Sequence, residues 1–398
     1  MKEQLAIFGG QPVRRDVLYY GRQYIDDEDI QAVVETLKSP LITCGPKVAE
    51  FEQKLCDMLG CNYAVVVSNG TAALHLAAIA AGIGPGDEVL VTPMTFAASA
   101  NCILYCGATP VFVDIDPQTY NIDPEDIKRK ITDKTKAIVA VDFCGQPVEL
   151  DMIKKLCEEH NLVLIEDAAH AIGSSYHGKN IGSIADFTTF SFHPVKNITC
   201  GEGGAITTNN KAYYENLMMC RTHGITRDIN LMKNPTDDPW YNEQRELGYN
   251  YRMTDFQAAL GISQLKKLQA FKERRQEIVK QYQEAFSDIP QISMQQCIND
   301  VDVAQHLFII KLNLELLNCN RREFFDALEA ENVCPQVHYM PVYYHSYYEG
   351  LGYKKGLCPC AEELYERELS IPLYYSLTDE DVTSVIEVVK KVIHYYKK

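Results

Sequence analysis

Residues 162–170 read Leu-Val-Leu-Ile-Glu-Asp-Ala-Ala-His: four apolar side chains in a row, then two acids, two small residues and a histidine. An apolar run without polar alternation predicts a strand buried on both faces. Four earlier runs share that texture: Ala64–Ser68, Glu88–Val91, Pro110–Asp114 and Ala137–Val141. Helical patterns lie between them, at Thr71–Ala81, Phe96–Cys106 and Leu150–His160. Strands separated by helices predict βαβ crossovers, and so an α/β fold with a mainly parallel sheet and helices on both faces.

Beyond Asp255 the texture changes. A charged amphipathic helix is expected over Asp255–Ser287, a strand at His306–Leu312 and a helix at Arg321–Glu331. A last helix is expected from a cap at Thr378 through Val392. This reads as a smaller α+β domain. The expected division is 1–260 for the N-terminal segment and large domain, and 261–398 for the linking helix and small domain. No Gly/Ser-rich linker separates them, so they are expected to pack firmly. Asn234–Glu243 is a polar, proline-punctuated loop that holds Trp240, the only tryptophan.

A formal net charge of −16 argues against a broad grip on nucleic acid or an anionic membrane. An anionic ligand must then be held locally, by a few cations, helix N-termini and backbone amides. No apolar run approaches the roughly 20 residues of a membrane span, and the first residues lack a signal-peptide pattern, so a cytoplasmic location is expected. The 14 cysteines show no paired CxxC spacing, which leaves no metal site in view. They read mostly as small buried apolar residues in a reducing compartment.

In an open parallel sheet, ligands bind at the carboxyl ends of the strands, and four segments end there. Ser68-Asn69-Gly70-Thr71-Ala72-Ala73 follows a strand and opens a helix, whose free amides and dipole favour a phosphate. The same residues would also serve as ordinary caps. Asp167 stands just past an apolar strand, where an unpaired carboxylate is costly. A protonated pyridine nitrogen would suit it, with His170 near the ring hydroxyl; a capping aspartate is the plainer alternative. Ser191-Phe192-His193-Pro194-Val195-Lys196 offers a hydroxyl for the phosphate and a tethered lysine that desolvation would make nucleophilic. Phe96, in Thr92–Phe96, is a candidate to stack on a cofactor ring, although an aromatic there more often belongs to a core.

With those segments in order, the chain resembles a known family over almost its whole length. SNGTAAL, TPMTFAAS, VFVDID, IEDAAHAIGS, FSFHPVKNITCGEGG, RTHG and GYNYRMTDFQAALG are similar to the DegT/DnrJ/EryC1/StrS sugar aminotransferases. The resemblance implies a fold-type-I enzyme dependent on pyridoxal 5'-phosphate, with a mainly parallel seven-stranded sheet. It implies that Lys196 forms the internal aldimine and shuttles the proton, and that Asp167 pairs with the pyridine nitrogen. His170 would contact the ring hydroxyl and Phe96 the ring face, while Gly70, Thr71, Ala72 and Ser191 would hold the phosphate. Asn250 would reach the phosphate of the partner subunit, which makes a homodimer with shared active sites.

Within the family, the lysine segment and Pro335–Tyr343 look most like the pseudaminic-acid pathway transaminase, which aminates C4 of a UDP-linked 4-keto-6-deoxy N-acetyl sugar. His338 and Tyr339 would then border the sugar or nucleotide, with His193 as a further candidate. The expected course is a ping-pong transfer from L-glutamate through aldimine and pyridoxamine forms. Rival readings are C3 or C4 amination of a dTDP- or GDP-linked sugar, and a non-catalytic regulator on the same fold. A dinucleotide-binding dehydrogenase is disfavoured because GxGxxG does not follow the first strand. Arg221, Arg252 and Lys47 are candidates to grip the diphosphate, or else solvated surface charges.

Overall fold

The computed structural model describes residues 4–398; residues 1–3 of the expected first domain lie outside the described residues. Seven strands form the main sheet: β1 (Tyr63–Val67), β2 (Glu88–Val91), β3 (Thr109–Phe112), β4 (Thr135–Val141), β5 (Val163–Asp167), β6 (Phe187–Ser191) and β7 (Gly204–Thr208). Their order is β1-β7-β6-β5-β4-β2-β3. Only β7 runs against its neighbours, pairing antiparallel with both β1 and β6. The mainly parallel α/β sheet expected from the sequence is thus present.

Alternate residues of one strand enter different cores, because successive side chains point to opposite faces. Val65, Val67, Val89, Val91, Val139 and Ile165 pack in one apolar cluster. Val66, Leu90, Ile138, Ala140 and Leu164 pack in the other. Both faces are buried, and for that reason these strands read as unbroken apolar runs.

A third cluster joins Ile278, Tyr282, Phe308, Ile310, Leu369 and Val385 around a small antiparallel sheet of β8 (Ile292–Met294), β9 (Phe308–Leu312) and β10 (Glu368–Ile371). Leu5 and Leu18 belong to this cluster too, so the N-terminal segment packs against the C-terminal elements. Glu331 fastens it there by accepting the amides of Ala6 (2.9 Å) and Val13 (2.8 Å), while Lys391 pairs with the same carboxylate at 3.0 Å.

Several expected elements shift. The single helix over Asp255–Ser287 is two, Asp255–Leu265 and Leu268–Phe286. Lys267, at the break, pairs with Asp26 at 2.5 Å and Asp29 at 2.8 Å, so contacts with the Asp27–Leu37 helix decide where the chain turns. The helix expected from Phe96 begins at Ala98. Thr378 does cap the last helix, in a capping box with Asp381, and that helix runs to Tyr396. Seven of the 14 cysteines are buried, five are intermediate, and Cys44 and Cys297 are exposed, so burial describes half of them. No helix among the described residues is long and apolar enough to cross a membrane.

Candidate active site

The carboxyl ends of β1, β4, β5 and β6 open onto a cavity of about 790 Å3. Gly70, Thr71, Ala72, Phe96, Asp167, His170, Ser191, His193, Lys196, His338 and Tyr339 all border it. Segments separated by more than a hundred residues are therefore brought to one place by the parallel sheet.

The β1 turn shows why its residues are small. A β-carbon added at Gly70 would stand 2.9 Å from Ser191 Cβ, and one at Gly204 would stand 2.6 Å from the carbonyl carbon of Asn69. Asn69 caps the Gly70–Ala80 helix and accepts the Ala72 amide at 2.8 Å. Ala72 therefore has its amide engaged, whereas first-turn amides such as those of Gly70 and Thr71 have no acceptor within the helix.

Asp167 ends β5 and is buried. Its Oδ2 accepts from Ser99 Oγ at 2.6 Å and its Oδ1 from the Ala169 amide at 3.1 Å. Burial raises its pKa, while Ser99, the Ala169 amide and the Lys196 charge lower it.

Lys196 lies on the connection between β6 and β7. Phe192 pins this loop by donating its amide to Gly203 and accepting that of Cys200. Asn197 anchors the next position by donating to the carbonyl of Ala304 at 3.0 Å. Lys196 is half-buried because it borders the open cavity. Desolvation of its amine still lowers the pKa to about 8, against the opposing pull of Asp167.

His170 and Tyr339 meet at 3.3 Å between Nε2 and the hydroxyl. Burial holds His170 well below the usual histidine range. His306 packs behind it, ring centroids 4.4 Å apart. His338 shares a hydrogen bond with Ser370 Oγ at 2.8 Å, and its pKa falls to about 3 through burial. Phe96 is 65% exposed, at the cavity's edge.

Asn250 is exposed and does not border the cavity of its own chain. The three cations named as candidates do not border it either. Arg221 is buried, bonded to Glu52 at 2.5 Å and to the Val66 carbonyl at 2.9 Å, so it braces β1. Lys47 pairs with Glu50 at 2.8 Å in a separate groove. Arg252 sits in a bridge to Val67.

Tyr20, Thr95, Ser99, Tyr105, Glu202 and Tyr251 also border the cavity, and sequence reasoning passed over them. Ser99 and Thr95 stand inside the TPMTFAAS motif, where a hydroxyl just past a strand end is the available signal. Tyr20 carries no such signal, because it comes from the N-terminal segment, which packs against the C-terminal elements.

The DegT/DnrJ/EryC1/StrS aminotransferase family pattern matches residues 23–390. The chain is 42% identical to the spore coat polysaccharide biosynthesis protein SpsC of Bacillus subtilis, over 96% of this chain and 98% of that protein. It is 39% identical to the UDP-4-amino-4,6-dideoxy-N-acetyl-β-L-altrosamine transaminase of Campylobacter jejuni (strain 81-176), over 96% and 99%. Helicobacter pylori PseC, an aminotransferase involved in the biosynthesis of pseudoaminic acid, superposes with a TM-score of 0.89 at 33% identity, covering 96% of this chain and 100% of that one. Similar solved structures include one protein in both its PLP and PMP forms. This chain belongs to the DegT/DnrJ/EryC1/StrS family and is a pyridoxal-phosphate-dependent sugar aminotransferase.

Proposed function

We propose that the enzyme moves the amino group of L-glutamate to the C4 ketone of a UDP-linked 4-keto-6-deoxy N-acetyl sugar, in the cytoplasm and as a homodimer. One observation carries the chemistry: Lys196, Asp167, Gly70 and Ser191 border a single cavity. The substrate class is supported by the likeness to the C. jejuni transaminase and to PseC.

The residues fit the cofactor. Gly70 lets Ser191 close in where a side chain would collide with it, and Asp167 is a buried carboxylate that accepts hydrogen bonds from the neutral Ser99 hydroxyl and Ala169 amide. Bound pyridoxal phosphate supplies an electron sink for the carbanion formed when the amino donor loses its α-proton. The amides of Gly70 and Thr71, at the positive end of their helix, hold the phosphate together with the Ser191 hydroxyl, while Ala72 closes that turn onto Asn69. Asp167 holds a proton on the ring nitrogen. His170 would hold the ring hydroxyl and Phe96, at the cavity's edge, would cover a ring face.

Lys196 is the proton carrier. An amine near pKa 8 is partly neutral at physiological pH. Its Nζ would hold the cofactor by condensing with its carbonyl, with loss of water, and would take and return the α-proton once the donor's amine has displaced it. His193, His338 and Tyr339 face the sugar side of the cavity. Asn250, exposed on its own chain, reaches the partner's phosphate.

The test incubates purified enzyme with L-glutamate and, in turn, UDP-, dTDP- and GDP-linked 4-keto sugars. Amination of the UDP-linked N-acetyl sugar alone is expected. Preference for another nucleotide would overturn the substrate and keep the chemistry. Full turnover by Lys196→Ala would sink the catalytic assignment.

A further inference from the structure

Asp167 is not alone at the end of β5. Ser99 lies in the first turn of the Ala98–Tyr105 helix and is 1% exposed; Thr95, four residues earlier, is 3% exposed. Ser99 Oγ stands 2.6 Å from Asp167 Oδ2, 2.7 Å from Thr95 Oγ1 and 3.3 Å from the Phe96 carbonyl. A serine has one proton to give. The charged acceptor at the shorter distance takes it, because a charge-assisted bond is about twice as strong as a neutral one. Ser99 is then left with acceptor capacity only, so Thr95 is the donor at 2.7 Å. The direction of the chain is fixed: Thr95 donates to Ser99, and Ser99 to Asp167.

We propose that Thr95 and Ser99 are positioning residues, forming a hydroxyl relay that orients the Asp167 carboxylate toward the cofactor's ring nitrogen and keeps it ionised. The relay rests on the assignment of Asp167 to that nitrogen. Each donor polarises the next, so the chain stabilises the carboxylate more than Ser99 alone would. Ser99 is also the strongest of the groups that counter the effect of burial on Asp167. Without it, the carboxyl would drift toward its neutral form and the ring nitrogen would lose its counter-charge. Oδ1 is fixed separately by the Ala169 amide, so the relay governs the other oxygen.

The experiment prepares apoprotein of the wild type, Ser99→Ala, Ser99→Thr, Thr95→Val and Asp167→Asn. Each is loaded with pyridoxal phosphate carrying 15N in the ring. Cofactor affinity and the ring-nitrogen resonance are read, with a thermal melt as the control for folding. Ser99→Ala is expected to weaken cofactor binding roughly tenfold, the scale of a lost hydrogen bond to a charged group, and to move the resonance toward the unprotonated value. Ser99→Thr should restore both. Thr95→Val, which keeps the volume, should move both in the same direction by a few-fold less, and it carries the test if Ser99→Ala does not fold. A wild-type resonance in Ser99→Ala and Thr95→Val, with a shifted one in Asp167→Asn, would overturn the relay and leave Asp167 in place. An unshifted resonance in Asp167→Asn would instead remove the assignment on which the relay stands.

Discussion

Gly70 and Ser191 approach so closely that a β-carbon on the glycine would stand 2.9 Å from the serine's Cβ and 3.2 Å from its Oγ. These residues begin a helix after β1 and end β6, and they meet because β7 alone separates the two strands. Gly70→Ala forces one of them aside. The sheet has little slack there, since a β-carbon at Gly204 of β7 would likewise stand 2.6 Å from the Asn69 carbonyl carbon. The variant should fold and lose at least tenfold in affinity for pyridoxal phosphate, as read by cofactor titration of apoprotein. Unchanged affinity would mean that this turn does not hold the phosphate.

Much of this arrangement was legible in the sequence, for a physical reason. Strands buried on both faces leave unbroken apolar runs, and the residues just past them sit where a parallel sheet binds ligands. Asp167, Gly70 and Lys196 could therefore be read from local pattern and family resemblance. What stayed hidden depends on contacts between distant segments. The break at Lys267 answers to Asp26 and Asp29, more than 230 residues earlier. Arg221 reads as a free cation until Glu52 and the Val66 carbonyl claim it. Tyr20 enters the cavity because the N-terminal segment packs on the C-terminal elements, where its carbonyl accepts the Leu373 amide.

The N-terminal segment is fastened at a buried ion pair. Glu331 is fully buried, and Lys391 pairs with it at 3.0 Å. Lys391→Met leaves the carboxylate without its cation, although the amides of Ala6 and Val13 still serve it. A loss of about 3 kcal/mol is expected, at the low end for a broken buried pair. Urea unfolding at fixed protein concentration measures it. Glu331→Gln combined with Lys391→Met should recover part of the loss, and a double variant no better than the single one would contradict this account.

Asp142 and Glu166 are two further buried acids beside Asp167, and each carboxyl acts on the other's titration. Glu166 also accepts from Thr188 at 2.7 Å, and its pKa is raised to about 7, chiefly by burial. Asp142 is raised as well. Between the ordinary glutamate value and about 7, the folded protein holds a proton on Glu166 that the unfolded chain has released. Stability from this group therefore falls as pH rises through that window, by about 1.4 kcal/mol per pH unit at most. Glu166→Gln should remove the slope. Buried histidines such as His170 and His338 contribute a rise in stability over the same range in both proteins. The change from pH 5 to pH 7 read by urea melts should therefore be more positive in the variant than in the wild type. Equal changes would mean that Glu166 is ionised throughout.

Lys196 reacts only when its amine has lost its proton. The neutral amine is the form that reacts with a carbonyl, and its folded pKa is about 8. The rate at which apoprotein captures pyridoxal phosphate should therefore rise with pH and level off above an inflection near 8. Asp167 favours the charged amine, so Asp167→Asn should move the inflection downward. Stopped-flow absorbance over a pH series reads both values. The ordinary lysine value lies near 10.5, so an inflection there would mean that the amine is solvated and burial does not activate it. An inflection that stays put in Asp167→Asn would mean that the two groups do not sense each other across the cavity.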